Sequence, residues 1–459
     1  MTPDSPPLAP VEGSPGRPGR ARRGRVLYLV VGVVGVLLAG GALLWSGGPV
    51  DEMAPEPAPT RTEGPSPTPT TDSDAERSAA VEALLGERAS AVLDGDHAAW
   101  RAQVDPIQVE FAEAQSKLIE RLDAVPFEEW GYQLVGEGPS LPEERVAALP
   151  EGSTIVRVRL TYRIAGTETQ TDRDQYLTVV PRDGRWLIAA DTDASIHGLD
   201  TQRDLWDLGA VRLVRGKRST VVADRGASRA AAERLAREAD AAVDDVNEVW
   251  RADWSRQPVV LLPGSQSDLA TLIDNNGEGL AQIAAVTTGA FEDGLARGDR
   301  IMINPEAFDT LGALGRKVVL AHETTHLATR ATSAARPPIW LSEGFADYVA
   351  YEATPVPVTI VALDVLDDVR AGEAPRKLPE RSDFDAGKGD IAAAYEGAWL
   401  ACRLIAEEYG DKSLVRLYRE MSDDSGPGWP EETSSVLGIT SRQLTRDWRT
   451  YLRELAARP

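Results

Sequence analysis

From Val26 to Trp45 the chain runs twenty residues, "VLYLVVGVVGVLLAGGALLW", without a charge. As a helix rising about 1.5 Å per residue, this stretch is about 30 Å long, the thickness of a bilayer's hydrocarbon layer. The pattern predicts a transmembrane helix over 26–46. Residues 47–74 follow with seven prolines and no apolar period, which predicts an extended spacer. From residue 75 a helical period sets in, with Ala80, Leu84, Ala89 and Val92 along one side of "AERSAAVEALLGERASAVLDG". "DHAAWRAQV" and "EFAEAQSKLIERLDAV" continue as helices. The period then shortens to two. "STIVRVRLTYRIAG" alternates as a strand, and "QYLTVV" and "RWLIAA" flank the turn "PRDG" as a hairpin. Helices followed by strands predict a small α+β unit over 75–198.

The remainder, 205–459, is mixed. "RGASRAAAERLAREADAAVDDVNEVW" predicts one long helix. "PVVLLPG", "QIAAVTTGAF" and "DRIMINP" predict strands. "EAFDTLGALGRKVVLAHETTHLATRAT", "LSEGFADYVAYEA", "VALDVLDDVRAG", "IAAAYEGAWLACRLIAEEYG", "DKSLVRLYREM" and "TSRQLTRDWRTYLRELAA" predict helices. The expected fold class is α+β: a transmembrane helix, a small α+β unit, then a mostly helical domain with a small β-sheet.

Charge gives this layout a direction. Residues 1–25 hold five arginines against Asp4 and Glu12, a net charge of +3, which leaves −26 for the rest of a chain whose total is −23. Arginines on the N-terminal side of the span place the tail, 1–25, in the cytoplasm and everything after Trp45 outside, in a single-pass cell-membrane protein. A cleaved signal peptide is the alternative. Its apolar core is ordinarily shorter, and no A-x-A site follows here. The acidic body excludes nucleic acid as a partner, since phosphate binding needs a basic footprint. The single cysteine, Cys402, lies in the apolar run "GAWLACRLIA" and reads as a small buried hydrophobe.

Four histidines occur: His97, His197, His322 and His326. The first two have no partner at ligand spacing, and a structural role is expected for both. The last two frame "HETTH". Residues four apart on a helix are offset by about 40° and rise about 6 Å, so His322 and His326 project from one face and can reach one ion. Glu323 between them can approach a metal-bound water. A catalytic zinc takes three protein ligands. Sixteen residues separate His326 from Glu343, which opens the helix "LSEGFADYVAYEA" and can complete a His-His-Glu site. Asp347 lies four residues on, where it can accept the second N–H of a ligand histidine. The metzincin pattern is absent, because Thr329 and Thr332 stand where its glycine and third histidine belong.

"HETTH" followed by "WLSEGFADY" resembles the gluzincin clan of zinc peptidases. The resemblance implies one zinc ion per chain, with Glu323 as general base, Glu343 as third ligand and Asp347 behind a ligand histidine. In aminopeptidase-like members a tyrosine in a Y-E-x-G-like helix donates to the oxyanion. "AAYEGAW" puts Tyr395 in that position, with Gly397 one residue early, and a packing role for Tyr395 is the alternative. No G-x-M-E-N stretch is present to hold a peptide's free amino end. "AAVTTGAF" before "DRIMINP" reads as an edge strand able to pair with substrate backbone, so an endopeptidase is the more natural expectation. In the first unit, "LLGERASAVLDGDHAAWRAQVDP" with "GRWLIAADTD" resembles nuclear-transport-factor-2-like domains, which implies a curved sheet wrapped against helices.

The expected function is therefore a zinc-dependent peptidase acting on peptide or protein substrates outside the membrane. Two other readings stand beside it. One is a membrane-tethered binding or scaffold protein using a peptidase-like fold. The other is an accessory unit that binds a small molecule or cell-wall component, which a deep aromatic and polar pocket within 75–198 would favour. The topology has a direct check. Protease added to intact cells is expected to digest residues 75–459 and spare a tag at Met1; a protected body would reverse the orientation.

Overall fold

The computed structural model describes residues 71–458 apart from 276, 278, 293–294, 334–336, 353, 386–390 and 424–428. The basic tail and the span expected over 26–46 lie outside the described residues, as does the spacer up to residue 70. Among the residues described, no helix is long and apolar enough to cross a membrane. The described chain is α+β, with helices packed on two sheets.

In the first unit, α1 (Thr71–Leu93), α2 (His97–Ala102) and α3 (Val109–Leu122) precede β1 (Phe127–Glu137), α4 (Glu143–Ala148), β2 (Thr154–Ile164), β3 (Gln170–Arg182) and β4 (Arg185–Ala190). The strands form an antiparallel sheet in chain order. The expected β3–β4 hairpin turns through Asp183 and Gly184, whose φ angles are 51° and 76°; two positive values suit the twist of the flanking strands. Helix α1 begins at Thr71, inside the expected spacer. Its buried residues against the sheet are Val81, Leu84 and Leu85, while Ala80, Ala89 and Val92 stay half-buried. Val81 and Leu85 go deeper than Ala80 and Ala89 because the larger side chains remove more apolar surface from water. Strand β1 was not expected. Two register shifts interrupt its alternation, and bulges of this kind erase the period that would announce a strand.

The second unit comprises α5 (Leu205–Leu208), β5 (Val211–Arg215), β6 (Thr220–Asp224), α6 (Arg229–Val249), β7 (Val259–Leu262), α7 (Gln266–Leu272), β8 (Ala285–Glu292), β9 (Leu295–Ile303), α8 (Pro305–Phe308), α9 (Ala313–Arg330) and α10 (Ile339–Glu352). Helices α11 (Val358–Val361), α12 (Leu363–Ala371), α13 (Ile391–Tyr409), α14 (Asp411–Glu420), α15 (Trp429–Leu437) and α16 (Ser441–Ala456) follow. The strand order is β5-β6-β7-β9-β8, with β6, β7 and β9 parallel and both outer strands antiparallel. Strand β8 is thus an edge. The single helix expected through the "HETTH" segment is two. Thr310 Oγ1 donates to the Ala307 carbonyl at 2.7 Å, closing α8, and α9 starts afresh after Gly312.

Alternation along the second sheet settles what covers it. Val221, Ala223, Val260, Ala285, Ile301 and Ile303 join the helical core around α6 and α9. Their neighbours Val222, Val259, Leu261, Val286 and Met302 join Trp130, Leu160, Tyr162 and Trp206. One face is sealed by helices and the other by the first unit. Strands covered on both faces read as continuous apolar runs, as "TVVA" and "VVLL" do. Each large side chain on the second face stabilises by about 1.5–3 kcal/mol when buried. Residues 205–459 produced alone are therefore expected to aggregate or to bind a hydrophobic dye that the full chain does not. A soluble, dye-silent fragment would contradict the shared core.

Candidate metal centre

Helix α9 is buried without a break from Val318 to Thr329. Its apolar side packs in the helical core, and the same burial encloses His322, Glu323 and His326. Helix α10 crosses it and carries Glu343 and Asp347, also buried. The crossing of α10 with α13 is close because of one residue. A Cβ added at Gly344 would lie 2.3 Å from the Ala398 carbonyl oxygen and 3.0 Å from Cys402 Sγ. Glycine is required there for the two backbones to approach. The sole cysteine is buried at this contact, as a small hydrophobe should be.

His322 Nε2 and His326 Nε2 are 3.0 Å apart, and Glu343 Oε2 is 3.4 Å from each. Among the described residues this is the one group of three such donors able to share an ion. Asp347 Oδ1 sits 2.8 Å from His322 Nδ1. A carboxylate can only accept, so that nitrogen carries the hydrogen and Nε2 is the atom left facing His326 and Glu343. At 3.0 Å the two Nε2 atoms need either a proton or a metal ion between them. Zinc bound tetrahedrally at about 2.0–2.1 Å sets its donors roughly 3.3–3.4 Å apart. The donor set and its spacing fit such an ion, and Glu343 Oε2 has no hydrogen-bond partner in the protein.

The electrostatics agree. Burial alone would raise the Glu343 carboxyl; the His326 and His322 rings outweigh it and hold the group at about 2. Burial likewise disfavours a charged His322, but the carboxylates of Asp347, Glu343 and Glu323 lift its pKa well above the ordinary value. Both carboxylate oxygens of Glu323 are buried and unpartnered. Tyr395, on α13, is buried with its hydroxyl unpartnered, its ring 6.5 Å from that of His322 and edge-on to Phe384. Burial first, then Glu343, Asp347 and Glu323, push its pKa up, so the hydroxyl keeps its proton as a donor.

The six expected residues, Tyr395 included, thus lie in one place. His97 and His197 do not join them: His97 Nε2 lies 3.0 Å from Asp123 and His197 Nε2 2.9 Å from the Ser140 carbonyl. Thr329, in the position of the metzincin glycine, is a buried helical residue whose hydroxyl accepts from Tyr418 at 3.2 Å. Other contacts were not legible in the motif. Thr287 on β8 donates to the Glu323 carbonyl at 3.0 Å. Arg330, ending α9, binds Asp299 on β9 through Nε at 2.7 Å and Nη2 at 2.9 Å. The edge strand is thereby fastened to the metal helix. On its other face a cleft of about 440 Å3 opens between Thr288, Gly289, Asp172 and Arg173 of the first unit, and the connecting residues Asp200–Arg203. The interior of that first unit holds a cavity of about 30 Å3 among Arg88, Trp100, Trp130 and Tyr132, room for about two waters and not the deep pocket that a small-molecule site requires.

No protein-family model matches the chain, and no curated protein matches it. The metal set is tested by substitution. His326→Ala removes one of three ligands and is expected to abolish zinc retention. Asp347→Asn should weaken affinity about 10–100-fold, the usual effect of losing a partner behind a ligand histidine. Equal zinc content in His326→Ala and the parent would refute this ligand set.

Proposed function

We propose that the protein is a zinc-dependent peptidase of gluzincin type, an endopeptidase anchored by residues 26–46 and facing outward. The observation that carries this reading is the convergence of His322, His326 and Glu343 beside a Glu323 carboxylate that no protein group satisfies. A scaffold has no use for a buried carboxylate without a partner, which costs stability unless something completes it.

His322, His326 and Glu343 would hold the ion, and Asp347 fixes the tautomer of His322. Bound zinc supplies a Lewis acid that acidifies a water and polarises a carbonyl. Glu323 takes the proton of the attacking water and returns it to the leaving amine. The Tyr395 hydroxyl donates to the substrate oxygen as negative charge builds on it. Edge strand β8 offers its outer backbone groups to an extended peptide. The surrounding apolar core keeps bulk water from Glu323, which strengthens each of these interactions.

Glu323→Gln keeps the shape and one oxygen but cannot accept the proton. The variant is expected to bind zinc as the parent does and to lose at least ~10²-fold in peptide hydrolysis, the lower range for a positioned acid–base group. Parental turnover in Glu323→Gln would overturn the mechanism. A parent chain that holds zinc yet cleaves no member of a peptide library would favour the scaffold reading.

A further inference from the structure

Strand β9 carries buried ion pairs on two consecutive residues, one for each face of the sheet. Asp299 faces the helices and binds Arg330 of the metal helix. Arg330 Nη2 also reaches the Gly289 carbonyl on β8 at 3.2 Å. Arg300 faces the first unit. Its Nη1 donates to the Tyr162 hydroxyl on β2 and to Asp204 Oδ1, both at 2.6 Å. Arg300 and Asp204 are each 2% exposed. Asp204 takes a second cation, Arg173 of β3, with Nε at 3.3 Å. Arg300 Nε and Nη2 have no protein partner.

Such an arrangement is a poor stabiliser. Taking a guanidinium out of water is costly, and a pair of this kind is often no better than an apolar pair of equal volume. Its effect is to allow one docking and no other. A slip of β9 by one residue would turn Arg300 into the helical core and Asp299 towards the first unit, leaving both charges unmatched. The consequence reaches the site through two steps. Thr288 is the cross-strand partner of Arg300 on the same face, and its neighbour Thr287 holds the Glu323 carbonyl.

We propose that Arg300 is a positioning residue for the peptidase reaction: by tying β9 to Asp204 and Tyr162, it sets the edge strand β8 at the height where substrate backbone meets Glu323. This rests on the peptidase reading above. It makes the first unit part of the substrate-binding apparatus, although no residue of that unit enters the metal centre. Arg300 acts through β8 and touches neither ion nor substrate.

The test uses the full chain and two substrates, a peptide long enough to lie along β8 and a short chromogenic amide that is not. Zinc per chain, kcat and KM are measured for the parent, Arg300→Met and Tyr162→Phe. Both variants are expected to keep zinc and to hold kcat within about twofold, because the reacting groups are untouched. For the long peptide, KM should rise about tenfold in Arg300→Met and about threefold in Tyr162→Phe, the scales of a lost charged and a lost single hydrogen bond. For the short amide KM should stay at the parental value. Partial misfolding would give the opposite split, a lower kcat from fewer active molecules at unchanged KM. That split, or a parental KM for the long peptide in Arg300→Met, overturns the proposal. Should Arg300→Met fail to fold, Tyr162→Phe decides alone, and a parental KM there overturns it. A parent that retains zinc and cleaves neither substrate removes the peptidase reading and this proposal together; a parent that cleaves both, with KM unmoved in the variants, removes only the proposal.

Discussion

A carboxylate buried between two imidazoles constrains everything packed around it. Glu343 is 4% exposed, and an isolated charge at that depth would not stay ionised. It remains ionised because His322 and His326 lie 3.4 Å away. Those rings hold their positions because α9 is a rigid, buried helix and because Asp347 fixes one of them from behind. Breaking a buried pair of this kind by removing one partner costs about 3–5 kcal/mol. Helices α9 and α10 must therefore keep a fixed distance, and α10 is held in turn by the close contact at Gly344. Holding an ion and packing are the same problem here, since the groups that would hold it also have to be tolerated by the core.

The second sheet carries the constraint outward. Its two faces belong to different partners, the metal helix on one side and the first unit on the other. Because side chains alternate along a strand, β9 can address both at once, with Asp299 and Ile301 towards the helices and Arg300 and Met302 towards the first unit. A tethered module connected by a flexible linker would not share a hydrophobic cluster with its neighbour. Trp130, Leu160 and Tyr162 do share one with Val222, Leu261 and Met302.

What could be read from the residues alone follows from the range of the interactions concerned. The His322–His326 pair and the Glu343–Asp347 pair are each spaced by four on one helix, so helical geometry alone puts them on common faces. That these two helices cross was legible only through resemblance to a known motif. The β3–β4 hairpin was legible from "PRDG", a local signal. Strands β1, β5 and β6 were not: β1 is bulged, and β5 and β6 lack the flanking prolines that bracket the still shorter β7. Thr287, Asp299 and Arg300 gave no sign of their roles. Their partners lie between 31 and 138 residues away, and nothing in a one-dimensional pattern joins them. The buried stripe of α1 was misjudged for a related reason, since its depth depends on which strands it covers.

The central claim is that one zinc ion is bound by two imidazoles from α9 and one carboxylate from α10. Crystals of the full chain grown with zinc, measured on both sides of the zinc absorption edge, test it directly. The account predicts a single strong anomalous peak per chain, about 2.0–2.2 Å from His322 Nε2, His326 Nε2 and a Glu343 carboxylate oxygen. No peak at that position, or a peak bound without Glu343, would contradict it.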